Sequence, residues 1–228
     1  MRKEAAQEWR ITMKKVDLHV HSTYSDGTNT PKELIKLAEN EGLSAIALTD
    51  HDTLDGIPDA LDAAKNSSVE LIPGVELSTN FNNTEVHIVG LFLDHNNKQI
   101  NDYLIYQRQS RIDRNIQMCE KFCDIGINIT YDKMCELYPD AVITRAHFAD
   151  YLSKKQYTGD RNEAFDRYLS PGKPCFVNRH KVDPEEAIAV IHKAHGAAIL
   201  AHPVLYHLGK DQMNALLEHV CSAGIDGI

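Results

Sequence analysis

The chain has 228 residues and a formal net charge of −9, with 43% hydrophobic and 25% charged residues. This composition is typical of a globular protein, and the negative charge argues against a broad surface for nucleic acid or anionic membranes. No apolar run approaches the ~20 residues that cross a bilayer, and residues 1–15 lack the apolar segment of a secretory signal.

The polar residues 1–15 are interpreted as an N-terminal extension that precedes the first predicted strand. The chain contains 5 cysteines, which are widely scattered and do not suit a disulfide framework. We therefore expect a cytoplasmic protein with reduced thiols.

The first predicted strand, residues 16–21, carries a group of potential metal ligands. Residues two apart in a strand point to the same face, so His19 and His21 project together, and Asp26 follows in the next loop. Two imidazoles and a carboxylate at one strand end are a demanding arrangement to keep for packing alone. The spacing predicts a metal site, and the alternative is two half-buried histidines with separate hydrogen bonds.

Predicted helices and strands then alternate as far as residue 94. Thr30 can cap a helix that has Pro31 at its first position and Glu33 to complete a capping box, and Gly42 ends this helix. Further strands are predicted at residues 45–49, 71–77 and 86–93, with a helix at residues 58–65. Because each strand is a continuous apolar run, we predict a parallel sheet with helices packed outside it.

Residues 99–170 have helical periodicity and almost no strand pattern, which predicts a helical subdomain inserted between the two parts of a sheet domain, residues 16–98 and 171–228. One apolar stripe and four packed aromatic residues are predicted in it. The stripe consists of Ile105, Ile112, Ile116, Cys119 and Cys123, and the aromatic residues are Phe148, Tyr151, Phe165 and Tyr168. Arg108, Arg111 and Arg114 recur at helical spacing, and we expect them on a solvated face.

The alternation of helix and strand returns after the insertion. Asp183 can cap a helix that runs to about His195, where Gly196 ends it, and residues 197–201 form a predicted strand. A helix at residues 212–223 and the start of another strand at residues 225–228 follow.

Histidine and carboxylate residues also occur at the ends of the later predicted strands. They are His51, Glu76, His87 and His202. Any one of them alone is more typical of a structural residue, but strand ends of parallel α/β folds converge on one face, where active sites form. Imidazole and carboxylate ligands without cysteine suit manganese, iron or zinc, and a shared carboxylate such as Glu76 could bridge two ions. The chemistry expected of such a cluster is phosphoester hydrolysis by a metal-activated hydroxide.

Five short motifs occur in a fixed order along the chain. They are Asp-Leu-His-Val-His at 17–21, Leu-Thr-Asp-His-Asp-Thr at 48–53, Pro-Gly-Val-Glu-Leu-Ser at 73–78, Glu-Val-His-Ile-Val-Gly at 85–90 and Leu-Ala-His-Pro at 200–203. Because of these five motifs, the chain resembles the PHP (polymerase and histidinol phosphatase) metal-dependent phosphoesterases, and the resemblance extends over about residues 16–228. The segments at 144–147 and 163–169 resemble the bacterial branch that acts on nucleoside 3′,5′-bisphosphates and trims RNA from its 5′ end.

The resemblance implies a distorted (β/α)7 PHP barrel and two to three divalent ions, with manganese expected and iron or zinc as alternatives. The implied ligand sets are His19, His21 and Glu76 for one ion, Glu76, His87 and His202 for a second, and Asp26 and His51 for a third. The family's late Asp-x-His motif does not occur in this sequence. The resemblance therefore implies a barrel truncated at its C-terminus and two ions that each lack one ligand.

Candidate substrate contacts lie within and after the predicted insertion. Arg145 and His147 occur where a helix begins, a position that favours anions. Lys173, Arg179 and His180 follow the insertion and could line the same opening. The alternative is that Arg145 and Arg179 are solvated or paired with surface carboxylates.

The expected substrate is a small phosphorylated nucleotide or the 5′ end of an RNA, rather than extended duplex DNA or a membrane. Two other functions are considered. One is a histidinol-phosphate phosphatase of the same family, and the other is a non-catalytic metal- or nucleotide-binding module. Release of phosphate from a nucleoside 3′,5′-bisphosphate would separate the enzymes from the binding module.

Overall fold

The computed structural model describes residues 14–179 and 182–228. The predicted N-terminal extension lies almost entirely outside these residues, and so does His180. The strands are β1 (Lys15–Val20), β2 (Leu43–Leu48), β3 (Glu70–Phe81), β4 (Thr84–Leu91) and β5 (Ala197–Leu200). The helices are α1 (Pro31–Asn40), α2 (Ile57–Ala64), α3 (Lys98–Asp124), α4 (Tyr131–Leu137), α5 (Arg145–Lys154), α6 (Arg161–Ala164), α7 (Pro184–Lys193) and α8 (Lys210–Ser222). A π-helical turn, Phe165–Leu169, continues α6, and a 3₁₀ turn, Pro203–Tyr206, follows β5.

The five strands form one sheet in chain order, and only its first half is parallel. β1 pairs with β2 and β2 with β3 in parallel, as the βα alternation predicts. β3 and β4 are antiparallel, and so are β4 and β5. The mixed α/β class is confirmed, but the prediction of an all-parallel sheet is wrong.

A two-residue turn explains the change of direction. Asn82 and Asn83, between β3 and β4, have φ values of 49° and 66°. Two successive left-handed residues form the tight turn that joins antiparallel strands, and a parallel pair would need a crossover of a dozen residues or more. The Asn-Asn pair was the signal in the sequence.

The start of α1 agrees with the predicted capping box. The Thr30 hydroxyl accepts a hydrogen bond from the Glu33 backbone N–H (3.3 Å), and a Glu33 carboxylate oxygen accepts one from the Thr30 backbone N–H (2.8 Å). Gly42, with φ +69°, ends the segment in the left-handed conformation. This helix positions the loop that carries Asp26.

Three apolar clusters lie in the described part of the chain, and two of them are large. The first lies between the sheet and α1, α2, α7 and α8, and includes Leu48, Val75 and Ile188. The second lies among α3, α4, α5 and α6, where the rings of Phe122 and Phe148 stack with centroids 6.1 Å apart. The predicted packing of Phe148, Tyr151, Phe165 and Tyr168 is confirmed, since all four belong to the second cluster or pack against it. The boundaries of an inserted subdomain stay a prediction.

The predicted apolar stripe of α3 is wrong at most of its positions. Ile105 is 59% exposed and Ile116 is 42% exposed, whereas Arg111 and Arg114 are each only 5% exposed. The prediction of a solvated face for Arg111 and Arg114 is therefore also wrong. The reason is that Arg111 hydrogen-bonds the buried carboxylate of Asp52 in the segment after β2, so burial on this face of the helix does not follow hydropathy.

None of the helices in the described part of the chain is both long enough and apolar enough to cross a membrane. The strand predicted at residues 225–228 is present only as a single bridge between Ile199 and Gly227, with the Leu200 N–H donating to the Gly227 carbonyl at 2.9 Å.

Candidate metal centre

The structure brings the seven predicted ligand residues together at one end of the sheet. They come from β1 and the loop after it (His19, His21, Asp26), from the segment after β2 (His51), from β3 (Glu76), from β4 (His87) and from the segment after β5 (His202). Neighbouring imidazole rings have centroids 4.8–5.6 Å apart. The cluster arises because β1, β2 and β5 end beside the middle of the β3–β4 hairpin, which carries Glu76 and His87.

The carboxylate of Glu76 lies at the centre of this cluster and is 1% exposed. Its Oε2 atom is 3.1 Å from His19 Nε2, 3.1 Å from His21 Nε2 and 3.3 Å from His51 Nδ1. Three imidazole nitrogens from two different segments therefore surround one carboxylate oxygen.

The other oxygen of Glu76 has a second pair of imidazoles. Oε1 is 2.7 Å from His87 Nδ1 and 2.8 Å from His202 Nε2, and these two nitrogens are 3.3 Å from each other. Ligand atoms bound to one ion at about 2.1 Å in tetrahedral geometry lie about 3.4 Å apart. The second buried ring nitrogen of His202 has no hydrogen-bond partner among the described residues.

The ionisation of the centre indicates a need for positive charge. Burial alone would raise the pKa of Glu76, but His51, His19 and His202 outweigh it and lower that pKa. Burial alone would lower the pKa of His87, but hydrogen bonds to Glu76 and Glu85 raise it to about 9. Five imidazoles gathered around one buried carboxylate are a donor set that fits bound divalent ions. Three groups of these residues have ligand atoms close enough to share an ion: His19, His21 and Glu76; His21, Asp26 and His51; and His51, Glu76 and His87.

Asp26 lies at the edge of the centre that faces the helices. Its carboxylate oxygens are 3.5 Å from His21 Nδ1 and 3.5 Å from His51 Nε2. The hydroxyl of Thr144, which caps α5, donates to Asp26 at 3.1 Å. This hydrogen bond links the start of α5 directly to the cluster.

A buried carboxylate behind the cluster orients His21, and sequence reasoning missed it. Asp50, which is 2% exposed, accepts hydrogen bonds from the Ser22 hydroxyl and the Ser25 hydroxyl, both at 2.6 Å. The Ser25 oxygen is 3.2 Å from His21 Nδ1 and can accept a hydrogen bond from it, which would leave the Nε2 lone pair available for an ion shared with Glu76. The signal in the sequence was an acidic residue directly before His51.

Gly27 is required by the tight loop that carries Asp26. A Cβ atom at this position would lie 2.1 Å from the backbone oxygen of His21. The loop therefore brings its backbone against the ligand strand more closely than any side chain allows.

The predicted substrate residues have different surroundings. The Arg145 Nη2 atom is 2.6 Å from Glu85, and its guanidinium lies 5.6 Å from the centre of the Phe176 ring. His147 is buried, where its Nδ1 accepts from the Thr144 backbone N–H at 2.9 Å, and burial lowers its pKa despite Asp26. Lys173 is exposed.

Arg179 is held in the interior rather than at a surface carboxylate. It donates to the Asp52 carboxylate at 2.7 Å, to the Ser78 carbonyl at 2.9 Å and to Gln107 at 2.6 Å. Asp52 is fully buried and also bonds Arg111. The expectation of a solvated or surface-paired Arg179 therefore does not describe this side chain.

Comparisons with known proteins identify relatives over nearly the whole chain. The model of the PHP domain family matches residues 17–198. A 5′-3′ exoribonuclease of Haemophilus influenzae is 40% identical over 94% of this chain and 78% of its own length. A 3′,5′-nucleoside bisphosphate phosphatase of Chromobacterium violaceum is 35% identical over 95% of this chain and 76% of its own.

Two solved structures are similar in fold. An amidohydrolase from Chromobacterium violaceum, solved with bound sulfate and without metal, has a TM-score of 0.88 and 35% identity. A protein from Bifidobacterium adolescentis assigned as a metal-dependent phosphoesterase has a TM-score of 0.83 and 27% identity. Each match covers 94% of this chain and 76% of the other.

Proposed function

The chain belongs to the PHP domain family and is a metal-dependent phosphoesterase, and on this premise we propose that it hydrolyses phosphate esters of nucleotides. The proposed substrates are nucleoside 3′,5′-bisphosphates and the phosphorylated 5′ ends of RNA. The relatives that support this choice are similar over more than nine tenths of this chain. They favour nucleotides over the histidinol-phosphate alternative.

The observation that carries the proposal is the single buried carboxylate with five imidazoles around it. We propose that two ions would be held here, one by His19, His21 and Glu76 and the other by Glu76, His87 and His202. Asp26 and His51 are the proposed ligands of a third ion. Divalent ions bound there would lower the pKa of a water molecule and neutralise phosphate oxygens.

The protein's own groups would orient the substrate beside the ions. Arg145 is the proposed phosphate contact, because its guanidinium lies near His87 through their shared partner Glu85. The Phe176 ring beneath this guanidinium limits its rotation and offers a flat apolar surface. His147, buried and hydrogen-bonded at the start of α5, is proposed to hold the Asp26 side of the centre rather than to carry a proton.

The identity of the ions is proposed from the donor set. Imidazole and carboxylate ligands without a thiolate suit manganese, with iron and zinc as the alternatives. Elemental analysis of the purified protein, followed by reloading with each metal, tests this choice.

The decisive experiment is phosphate release from a nucleoside 3′,5′-bisphosphate by the metal-loaded protein. We expect release that chelation abolishes, and release from histidinol phosphate that is at least about tenfold slower, as one lost charged contact predicts. Glu76→Gln should lose both metal and activity, while Glu70→Gln, an exposed position on the same strand, should keep both. Faster hydrolysis of histidinol phosphate would overturn the nucleotide assignment.

A further inference from the structure

Buried arginines beside the metal centre outnumber the carboxylates that face them. Arg111 and Arg114 on α3 are each 5% exposed, and the side chain of Arg179 is 11% exposed. The Asp52 carboxylate bonds both Arg111 and Arg179. One carboxylate therefore balances two guanidinium groups. The third, that of Arg114, has only Glu85 nearby, and Glu85 is already 2.6 Å from Arg145.

Arg114 is the one of these three arginines that hydrogen-bonds no carboxylate among the described residues. Its Nε donates to the Asn115 side chain at 2.9 Å, and its buried Nη2 has no hydrogen-bond partner in the described part of the chain. Burial, with Arg111 and Arg145 nearby, lowers the pKa of Arg114 well below its usual value. Because a guanidinium stays protonated in proteins, burial of this charged group is unfavourable unless an anion binds to it.

The side chain lines a small cavity that adjoins an open groove. The cavity has a volume of about 20 Å³, room for one oxygen-sized atom. Asn80, Glu85 and Asn178 line both this cavity and the groove, whose volume is about 440 Å³. Arg145 also lines the groove. A phosphate group in the groove could therefore place one oxygen in the cavity, against Arg114.

The cavity lies one short step along the sheet from the metal centre. Ser78, one of its lining residues, is two residues after Glu76 on β3 and pairs with His87 on β4. Residues two apart on a strand share a face and are separated by about 6.6 Å. A single ribose bridges such a span between its two phosphate groups.

We propose that Arg114 is a specificity-determining residue that binds a second phosphate group of the substrate while the first lies at the metal centre. The substrate class is then nucleotides with two phosphates on one ribose, in preference to nucleoside 3′-monophosphates. This inference rests on the proposed function, which it narrows.

The carboxylate of Glu85 lines the same cavity, but it does not neutralise the charge of Arg114. One of its oxygens is 2.6 Å from Arg145 and the other is 3.2 Å from His87 Nε2. Its charge is therefore shared between two other groups. Arg114 also lies in the field of Glu85, but this one carboxylate serves three cationic groups and forms no hydrogen bond with Arg114 in the described chain, so room remains for an incoming anion.

The kinetic test compares two substrates that differ by one phosphate. The wild-type kcat/KM should favour the 3′,5′-bisphosphate over the 3′-monophosphate, and Arg114→Met should reduce that ratio by about 10- to 100-fold, the loss of one charged hydrogen bond. Arg108→Met is the matched control, because Arg108 lies on the same helix and pairs with Asp55. It should leave the ratio unchanged.

The binding test works without metal. In EDTA, the bisphosphate should raise the Tm of the wild type and of Arg108→Met but not that of Arg114→Met. In the absence of nucleotide, Arg114→Met should be at least as stable as the wild type, because it removes a buried unpaired cation. If Arg114→Met does not fold, Arg114→Lys replaces it, since lysine keeps the charge but loses the guanidinium fork.

The outcomes separate this inference from the proposed function. If the Arg114 variant keeps the wild-type ratio of kcat/KM values and the wild-type Tm response, then only water hydrogen-bonds the free Nη2 of Arg114. The inference would then be wrong. Equal wild-type kcat/KM for both substrates would also overturn it, while phosphoesterase activity on nucleotides would stand. If neither nucleotide is hydrolysed, the proposed function fails, and the metal-free Tm response alone decides the role of Arg114.

Discussion

At the residue scale, Asp52 is the anion on which the buried interior beside the centre depends. Its side chain is fully buried and accepts hydrogen bonds from Arg111, Arg179 and the Ser78 backbone N–H (3.1 Å). Burial alone would raise the pKa of Asp52, but Arg179 and Arg111 lower it far below the usual value. Asp52 is also left-handed, with φ 51°, a strained conformation for a residue other than glycine.

Replacing Asp52 with Asn should therefore destabilise the fold severely. The substitution keeps the shape of the side chain but leaves two buried guanidinium groups without a counter-charge, a change that costs about 3–5 kcal/mol. Urea unfolding in EDTA measures the effect without any contribution from bound metal. Asp62→Asn, which removes an exposed carboxylate paired with Lys65, is the control and should not move the unfolding midpoint. A midpoint for Asp52→Asn equal to that of the control would contradict this account.

The sequence predicted which residues could bind metal better than it predicted which charges are buried. His19 lies near the end of β1 with His21 just after it, and Glu76 and His87 lie within β3 and β4, so alternation along each strand fixes the face to which they point. The burial of Arg111 depends on its pairing with Asp52, which is 59 residues away in sequence, and no local pattern encodes that pairing. A charged residue in a helix is therefore predicted to be exposed unless its partner is already known.

At the scale of elements, the helices after β4 are joined by charged pairs as well as by their apolar cluster. Asp150 on α5 accepts hydrogen bonds from the hydroxyl of Tyr138 (2.8 Å) and from Arg161 on α6 (3.0 Å), and it lies 2.6 Å from Lys154. Burial alone would raise the pKa of Asp150, but Lys154, Tyr138 and Arg161 lower it to about 2.

This lowered pKa predicts an acid-dependent loss of stability. Because the folded-state pKa lies below the usual value of 3.8, Asp150 contributes its full stabilisation above about pH 5 and loses it as the pH falls through the range from 4 to 2. The difference in unfolding free energy between wild type and Asp150→Asn should be about 1 kcal/mol or less at pH 6 and should shrink toward pH 3.

Urea unfolding at pH 6, 5, 4 and 3 in EDTA measures this difference. Asp166→Asn is the control, because Asp166 is exposed and has no ion-pair partner among the described residues. Its difference from wild type should stay constant with pH. A constant difference for Asp150→Asn as well would exclude the proposed linkage.

The sheet shows where element-level prediction succeeds and where it stops. The parallel pairs β1–β2 and β2–β3 follow from strands separated by helices, which leave a crossover as the natural connection. The antiparallel β3–β4 pair depends on two residues, Asn82 and Asn83, whose backbone conformation outweighs the apolar character of the strands. A continuous apolar strand is compatible with either direction.

At the scale of the whole molecule, bound ions should act as cross-links between segments that are distant in sequence. A ligand that binds only the folded state stabilises it by about 2.7 kcal/mol at a hundredfold excess over Kd. Each kcal/mol shifts Tm by about 2–4 °C in a chain of this size. Removing the metal from the loaded protein should therefore lower Tm by about 5–10 °C.

Calorimetry with and without EDTA measures this shift. Glu76→Gln should already have the lower Tm and should not respond to EDTA, while Glu70→Gln should behave as the wild type does. A wild-type Tm that is insensitive to both chelation and added metal would mean that the folded cluster binds no ion.

The tight turn at Asn82 and Asn83 has a consequence for the time course of refolding. Glu76 and His87 are only 11 residues apart, so a hairpin of this kind brings them together within microseconds. His87 and His202 are 115 residues apart, so they come together only after much of the chain between them has folded. During that interval a free divalent ion could be captured by the early pair together with any of the chain's 12 histidines, most of which are wrong partners. Refolding in EDTA followed by metal addition should therefore give a higher yield of active protein than refolding in the presence of metal. Equal yields would show that the ion does not trap misfolded chains.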